Sequence, residues 1–259
     1  MNYFTDQLGR TIKIQALPKR IISLVPSQTE LLYDLGLREE VVGITKFCIH
    51  PDEWFRSKTR VGGTKKYDFE KIKSLQPDLI IGNKEENEQT QIEELMQLYP
   101  VWMSDIKTLS DALDMINLIG KIVNKKEEAL TISNQISLKF QSLKPNSKKS
   151  CAYFIWKKPY MCVGANTFVD DMLQRCNLEN VFSTHGRYPE IMEVDLTAKQ
   201  PEVILLSSEP YPFKDTDKQA LQLICPNSKI EIVDGELFSW YGSRLLKSVD
   251  YFTALLKKL

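Results

Sequence analysis

The chain has 259 residues and carries 34 Lys and Arg against 34 Asp and Glu, so its formal net charge at pH 7 is zero. This balance gives no electrostatic reason to expect a nucleic acid or an anionic membrane surface as the partner. We find no apolar run long enough to cross a bilayer and no apolar leader region near the start, so we expect a water-soluble chain without an export signal.

Short apolar runs alternate with helical patterns along the chain, which predicts parallel α/β layers. The predicted strands cover residues 20–25, 41–45, 78–82, 101–103, 151–156, 202–207 and 229–233. The predicted helices cover residues 28–37, 68–75, 88–98, 166–176, 194–199 and 240–257. At the first junction, Ser27 and Glu30 fit a capping box. The helix that follows would direct its positive end toward the carboxyl edge of the sheet, where open α/β sheets hold ligands.

An internal repeat indicates two lobes built alike. Residues 69–87 and 194–210 both read as a helix, a Gln-Pro-acid turn, a buried strand and a polar loop. The proline ends each helix, because the residue before a proline is disfavoured in the α region.

Between the two copies, residues 108–143 contain no proline and one glycine, Gly120, and their apolar residues keep helical spacing. A continuous helix of this length would extend about 50 Å at the usual rise per residue, which suits a strut between lobes. The alternative is two consecutive helices broken near residues 124–126. We predict an N-terminal lobe over residues 1–107, a linking helix over 108–143 and a C-terminal lobe over 144–259.

Cysteine and histidine usage gives little sign of a metal or disulfide framework. The five cysteines, which are Cys48, Cys151, Cys162, Cys176 and Cys225, are odd in number, widely spread and without a Cys-x-x-Cys pair. Cys48 and His50 would supply only two of the three or four ligands that zinc requires. We therefore predict buried free cysteines and no dedicated metal site.

Common catalytic signatures are missing, including G-x-G-x-x-G, the phosphate loop, G-x-S-x-G and H-E-x-x-H. Aromatic and amide side chains instead follow several strands. They include Phe47, Asn83, Trp156, Tyr188, Phe238, Trp240 and Tyr241. Their shared place at strand ends favours a cleft for a large, flat, partly apolar ligand over a catalytic centre.

Six stretches carry a resemblance to a known family. They are "RIISLVPSQTELLYDLGL", "VVGITKFCIHP", "RVGG", "FEKIKSLQPDLII", "NTFVDDMLQRCNLENVF" and "VDLTAKQPEVILL". In this order the chain resembles the class III substrate-binding proteins of ABC importers, on the cobalamin-binding branch beside siderophore and haem binders. The resemblance implies two Rossmann-like lobes bridged by one long α-helix, with the ligand between them. It also implies a transport protein, not an enzyme, that works with an ABC permease and ATPase in the periplasm or cell envelope.

The resemblance also assigns residues by position. The implied ligand-binding residues are Ser27, Phe47, Thr64, Asn83, Trp156, Tyr188, Glu236 and Trp240. Glu70 matches one of two glutamates that dock on the permease. The equivalent position in the second lobe is Val194, so the neighbouring Glu193 is a displaced candidate. The ligand would be a cobalt or iron chelate, with no catalytic residue, cofactor or metal site in the protein itself, and we expect a monomer.

Some positions depart from the family pattern. Thr64, Asn83 and Tyr188 stand where cobalamin-binding relatives have tryptophan. Cys176 matches a half-cystine of some relatives, but the partner position here is Phe252, so that bridge cannot form.

Two alternatives therefore stay open. A haem or siderophore protein of the same family would need an axial Tyr188, His185 or His50 if it bound haem. The other alternative is an intracellular enzyme or metal-handling protein on this scaffold, since no export signal is found and the cytoplasm is not excluded.

Overall fold

Two α/β units make up the computed structural model, which describes residues 2–145 and 147–259. The first unit contains the chain up to Ile106, Ser110–Ser137 and Tyr241–Arg244. The second contains Lys107–Leu109, Leu138–Trp240 and Leu245–Leu259. The predicted domain bounds include Met1 and Asn146, which lie outside the described residues.

The secondary structure follows the predicted alternation of strands and helices. The order is β1 (Asn2–Thr5), β2 (Thr11–Ile14), β3 (Ile21–Ser23), α1 (Pro26–Asp34), β4 (Val41–Ile44), α2 (Asp52–Ser57), β5 (Thr59–Arg60), α3 (Phe69–Leu75), β6 (Leu79–Asn83), α4 (Gln89–Met96), β7 (Val101–Ser104), α5 (Leu109–Ile122) and α6 (Lys126–Ser142). It continues with β8 (Lys149–Trp156), β9 (Tyr160–Cys162), α7 (Phe168–Arg175), β10 (Leu178–Asn180), β11 (Glu190–Ile191), α8 (Glu193–Lys199), β12 (Val203–Ser207), α9 (Asp215–Ile224), β13 (Lys229–Val233), α10 (Gly235–Ser239) and α11 (Leu245–Leu256).

The first unit is built on a parallel five-stranded sheet in the order β5-β4-β3-β6-β7. Its central strands β3 and β6 are buried at every residue, as expected for a sheet covered by helices on both faces. The carboxyl ends of all five strands therefore meet at one edge, where Asn83 ends β6 and from which the loops carrying Phe47 and Thr64 leave.

The second unit has a mixed sheet in the order β11-β9-β8-β12-β13, with β10 pairing the start of β8. The strands β8, β10, β12 and β13 are parallel, while β9 runs antiparallel to β8 and β11 antiparallel to β9. The predicted fold class, α/β with mostly parallel sheets, is confirmed.

The internal repeat takes the same form in both units. Helices α3 and α8 each have seven residues and each end at a glutamine in the left-handed region, Gln76 at φ 46° and Gln200 at φ 42°. A proline follows each glutamine, and a fully buried strand, β6 or β12, follows each proline. The Gln-Pro pair is thus the same helix stop used twice.

The linking segment is not one continuous helix, which corrects that prediction. It forms α5 and α6, and the break falls at Asn124, whose φ of 56° is left-handed. The Ser133 hydroxyl donates to Asn117 Oδ1 at 3.0 Å. Residues 16 apart in one helix would be separated by about 24 Å. The two helices therefore fold back on each other, as the alternative allowed, and a side chain at Gly120 would overlap Ala129.

The predicted capping box of Ser27 and Glu30 is also wrong. Helix α1 begins two residues earlier than predicted, at Pro26, and the side chain of the cap residue Val25 makes no capping hydrogen bond. Proline is favoured in the first turn because it has no amide hydrogen to leave unpaired. Glu30, which would have completed the box, binds Arg244 instead.

The five cysteines are buried and free, as predicted. In the described part of the chain, no helix combines the length and the apolar character that a membrane span requires.

Candidate functional site

The first unit has an open depression of about 800 Å³, formed by residues that follow β4 and β5. Phe47 and Thr64, two of the predicted ligand residues, both line it. The phenyl ring of Phe47 is 49% exposed, and Lys46 Nζ lies 5.1 Å from its centroid. The Tyr67 hydroxyl donates to the Thr64 carbonyl at 2.9 Å, which holds the loop in place. The depression therefore offers an aromatic surface beside a partly buried hydroxyl.

The depression is lined by charges of both signs. Lys46, Lys65 and Lys66 line it together with Asp68 and Glu70. Lys65 Nζ donates to the Glu85 carbonyl at 2.9 Å. The three lysines favour a ligand with acidic arms at their side of the depression.

Asn83, by contrast, has a structural role. Its side chain is 1% exposed, and its amide donates to Ser104 Oγ at 2.9 Å. Its carbonyl oxygen accepts from the backbone amides of Glu85 at 2.8 Å and Glu86 at 3.1 Å. Because the chain already satisfies both ends of the side chain, we no longer expect Asn83 to contact a ligand directly.

Ser27 lies in the first turn of α1, at the carboxyl edge of β3, where it was predicted. Its hydroxyl is buried and has no hydrogen-bond partner among the described residues. The same holds for the Oε1 atom of the next residue, Gln28, whose amide nitrogen donates to Ser104 Oγ at 2.7 Å. Contact between Ser27 and a ligand stays a prediction.

In the second unit, aromatic side chains gather beyond the ends of the parallel strands. Trp156 closes β8 and is 39% exposed. Its ring meets Tyr211 edge-on at 5.8 Å between centroids. Tyr211 belongs to the loop after β12, and its backbone amide bonds to the Ile155 carbonyl. Two strand-end loops thus place their rings side by side.

Trp240 joins this edge through a carboxylate that sequence reasoning missed. Glu209, in the loop after β12, accepts from Trp240 Nε1 at 3.2 Å and from the Ser239 hydroxyl at 3.1 Å. Burial raises the pKa of the Glu209 carboxyl above its ordinary value, the two hydrogen bonds oppose that shift, and the charges of Glu236 and Asp234 add to it.

Two other predicted ligand residues of this unit differ in their placement. Glu236 lies in the first turn of α10, and its backbone amide bonds to Asp234 at 3.0 Å, so it does follow β13 at the strand-end edge. Tyr188 lies two positions before Glu190. Glu190 pairs with Met161, and so does Trp156. Tyr188 therefore lies beside β9, before the carboxyl end of β8 that Trp156 occupies.

The two predicted docking glutamates are both on helix surfaces. Glu70 is exposed in the first turn of α3, and Glu193 is the exposed first residue of α8. Superposing the two equivalent helices matches Glu70 with Val194, which is 63% exposed. Glu193 is one position earlier, which turns its side chain by roughly 100° around the helix axis.

The internal repeat is the feature of the sequence that could have pointed to Glu209. Counting from the two prolines, Glu209 is the counterpart of Glu85 in the strand-following loop. The sequence cannot show which of these two carboxylates meets a tryptophan, because Trp240 comes from a different strand-end loop.

Among the described residues, no group of three His, Cys, Asp or Glu is placed to hold a metal ion.

Comparison with known proteins agrees with the fold. A family model described as periplasmic binding protein matches residues 21–224. The vitamin B12-binding protein of Pectobacterium carotovorum subsp. carotovorum is 25% identical over 253 residues, covering 94% of this chain and 90% of that protein. An uncharacterized ABC transporter substrate-binding lipoprotein, YvrC of Bacillus subtilis, is 24% identical over 260 residues, covering 95% of this chain and 82% of the lipoprotein.

Solved structures give the same fold. The periplasmic vitamin B12 binding protein BtuF of Vibrio cholerae matches with a TM-score of 0.78 and 23% identity, covering 93% of this chain and 97% of that one. The periplasmic heme-binding protein RhuT from Roseiflexus sp. RS-1 matches with a TM-score of 0.80 and 18% identity, covering 93% of this chain and 98% of that one. Proteins with different ligands therefore share this architecture, and fold alone does not choose among them.

Proposed function

Because the chain belongs to the periplasmic binding protein family, whose members bind substrates for transport and are not enzymes, we propose that it captures cobalamin or a related corrinoid for an ABC importer. The observation that carries this proposal is the set of aromatic rings beyond the strand ends of the second unit, Trp156, Tyr211 and Trp240. A corrin has a wide apolar face rimmed by polar amide arms. Aromatic rings bury such a face, while Glu236 supplies a rim hydrogen bond.

A haem or ferric siderophore is the second candidate. Lys46, Lys65 and Lys66, beside the exposed ring of Phe47, support it, since carboxylate arms would pair with these ammonium groups. A corrinoid with neutral amide arms would gain less binding energy from these lysines. We propose the corrinoid first because the relatives that match over most of the chain include proteins named for vitamin B12.

Ligand titration tests the proposal. Purified protein is mixed with aquocobalamin, hemin and a ferric hydroxamate siderophore in turn, and the visible spectrum and tryptophan emission are followed. Saturable binding of aquocobalamin supports the corrinoid, and binding of hemin or the siderophore alone supports the second candidate. No response to any of the three contradicts the proposal.

Trp156→Ala is expected to weaken binding of the chelate by about 1–3 kcal/mol, as removal of an aromatic anchor commonly does. Its exposed ring beyond β8 is available to a ligand without rearrangement. Isothermal titration calorimetry with aquocobalamin measures the change. Tyr3→Ala, which removes a 64% exposed ring from the β1–β2 hairpin, is the control and should leave affinity unchanged. Equal affinities of Trp156→Ala and wild type would remove Trp156 from the site.

For docking, we propose that Glu70 contacts the permease and that Glu193 serves less well, because of its displaced position on α8. Glu70→Ala is expected to reduce uptake about tenfold through loss of a charged contact, while ligand affinity stays within about twofold of wild type. Uptake of labelled ligand by vesicles containing the cognate permease measures this. Glu94→Ala, which changes another exposed glutamate, on α4, is the matched control. Uptake at the wild-type rate by the Glu70 variant would argue against docking at this residue.

We further propose that the protein works as a monomer at the cell envelope, where a permease receives its ligand. Size-exclusion chromatography with light scattering and cell fractionation check these two points.

A further inference from the structure

We propose that Glu209 is a positioning residue that fixes the indole ring of Trp240 in the orientation in which it meets the ligand. This inference rests on the proposed function, since it gives Trp240 a place in the chelate site. It concerns an acid in the loop after β12 to which neither the family pattern nor the sequence assigns a role.

The contacts around Glu209 leave its carboxylate little freedom. Oε1 accepts from Trp240 Nε1 and from the Ser239 hydroxyl, at 3.2 and 3.1 Å. A Cβ placed on Gly235 would lie 2.7 Å from Cγ of Glu209, so the acid packs directly against the start of α10. The backbone amide of Glu209 also bonds to Ser207 Oγ at 3.4 Å. The acceptor is therefore held in place before any ligand arrives.

The orientation of the Trp240 indole depends on the Glu209 carboxylate. An indole has a single polar atom, which is a donor only, so a buried ring keeps the orientation in which that donor is satisfied. Trp240 is buried, and Glu209 lies on the donor side of its ring. Since Trp240 follows the short helix α10 and Glu209 follows β12, the hydrogen bond joins two strand-end loops into one surface.

The fold itself gains little from having an acid at this position. Burial raises the pKa of the Glu209 carboxyl, and the groups that face it are the carboxyls of Glu236 and Asp234 and the phenol of Tyr153. Its charged form is thus disfavoured by its surroundings, and a glutamine would accept the same hydrogen bonds without that cost. A carboxylate accepts more strongly than an amide, so what it adds is a firmer hold on the ring.

A double-mutant cycle between Glu209→Ala and Trp240→Phe tests the link, with aquocobalamin as the probe. Trp240→Phe keeps an aromatic ring but removes the indole donor. Glu209→Ala is expected to raise the Kd roughly five- to tenfold in the wild-type background and to have no effect in the Trp240→Phe background. Glu209→Gln should restore most of the affinity. The same increase in Kd in both backgrounds would overturn the proposal.

A second readout needs no ligand, so the inference and the proposed function can fail separately. The emission of Trp240 is obtained as the difference between wild type and Trp240→Phe. We expect it to titrate at a pH above the ordinary glutamate value, and we expect Glu209→Ala to shift it and abolish the titration. An unchanged emission spectrum in Glu209→Ala overturns the proposal, whether or not aquocobalamin binds. If Glu209→Ala does not fold, Glu209→Gln, which keeps the side-chain volume, should still abolish the titration, and its persistence would overturn the proposal.

Discussion

Arg244→Ala is expected to lower the free energy of unfolding by about 3–5 kcal/mol, because it leaves a buried carboxylate without its partner. Arg244 donates twice to Glu30, from Nε at 2.8 Å and from a terminal nitrogen at 3.0 Å, and both side chains are only 9% exposed. The attraction between two buried charges must offset the loss of their hydration. The truncation leaves the Glu30 carboxylate buried without this attraction. Urea denaturation followed by circular dichroism measures the change.

The matched control is an exposed ion pair of the same unit. Arg56 and Asp52 are joined at 2.7 Å, but their side chains are 77% and 67% exposed. Arg56→Ala should therefore cost less than about 1 kcal/mol.

Replacing Glu30 and Arg244 together by methionine should recover most of the loss from Arg244→Ala, since no unpaired charge remains. If the single and double variants were equally unstable, the packing of the Arg244 stem, and not its charge, would account for the effect. The segment Tyr241–Arg244 belongs to the first unit, although the chain on either side of it belongs to the second, and the ion pair joins Arg244 to Glu30 of the same unit.

Phe238→Ala is expected to destabilise the second unit by about 3–5 kcal/mol, as loss of a fully buried phenyl ring usually does. Phe238 lies on α10 and is completely buried. Its ring contacts Phe252 of α11 at 4.6 Å and Tyr153 of β8 at 5.1 Å between centroids. The truncation would leave a cavity bounded by two elements whose positions are fixed by other contacts. Thermal and urea unfolding measure the loss.

Leu223→Ala is the control for this second prediction, because Leu223 is 87% exposed on α9 and its removal should change stability by less than about 0.5 kcal/mol. Phe238→Leu should cost less than Phe238→Ala, since it fills more of the cavity. Because α10 leads directly into Trp240, Phe238→Ala should also weaken ligand binding. Wild-type stability of Phe238→Ala would show that the surrounding rings collapse into the space.

Local patterns in the sequence were sufficient to identify most of the elements. The buried runs predicted as strands became β3, β4, β6, β7, β8, β12 and β13, because strands covered on both faces are uniformly apolar. The sequence did not predict the strands β1, β2, β5, β9, β10 and β11, which have only two to four residues and so show no period. It also did not predict α2, α9 and α10, and the helix predicted over residues 240–257 begins at Leu245. The break between α5 and α6 depends on one left-handed residue, Asn124, inside an otherwise helical pattern.

The sequence by itself determined the α/β class, the repeated helix-Gln-Pro-strand unit and the aromatic loops after the strands, because each is written in neighbouring residues. Only the tertiary structure decided which of these side chains meet. It paired Glu30 with Arg244 and Glu209 with Trp240, and it enclosed Asn83 within a network of the protein's own groups. Such pairings depend on distances between residues far apart in the chain, which no local period specifies.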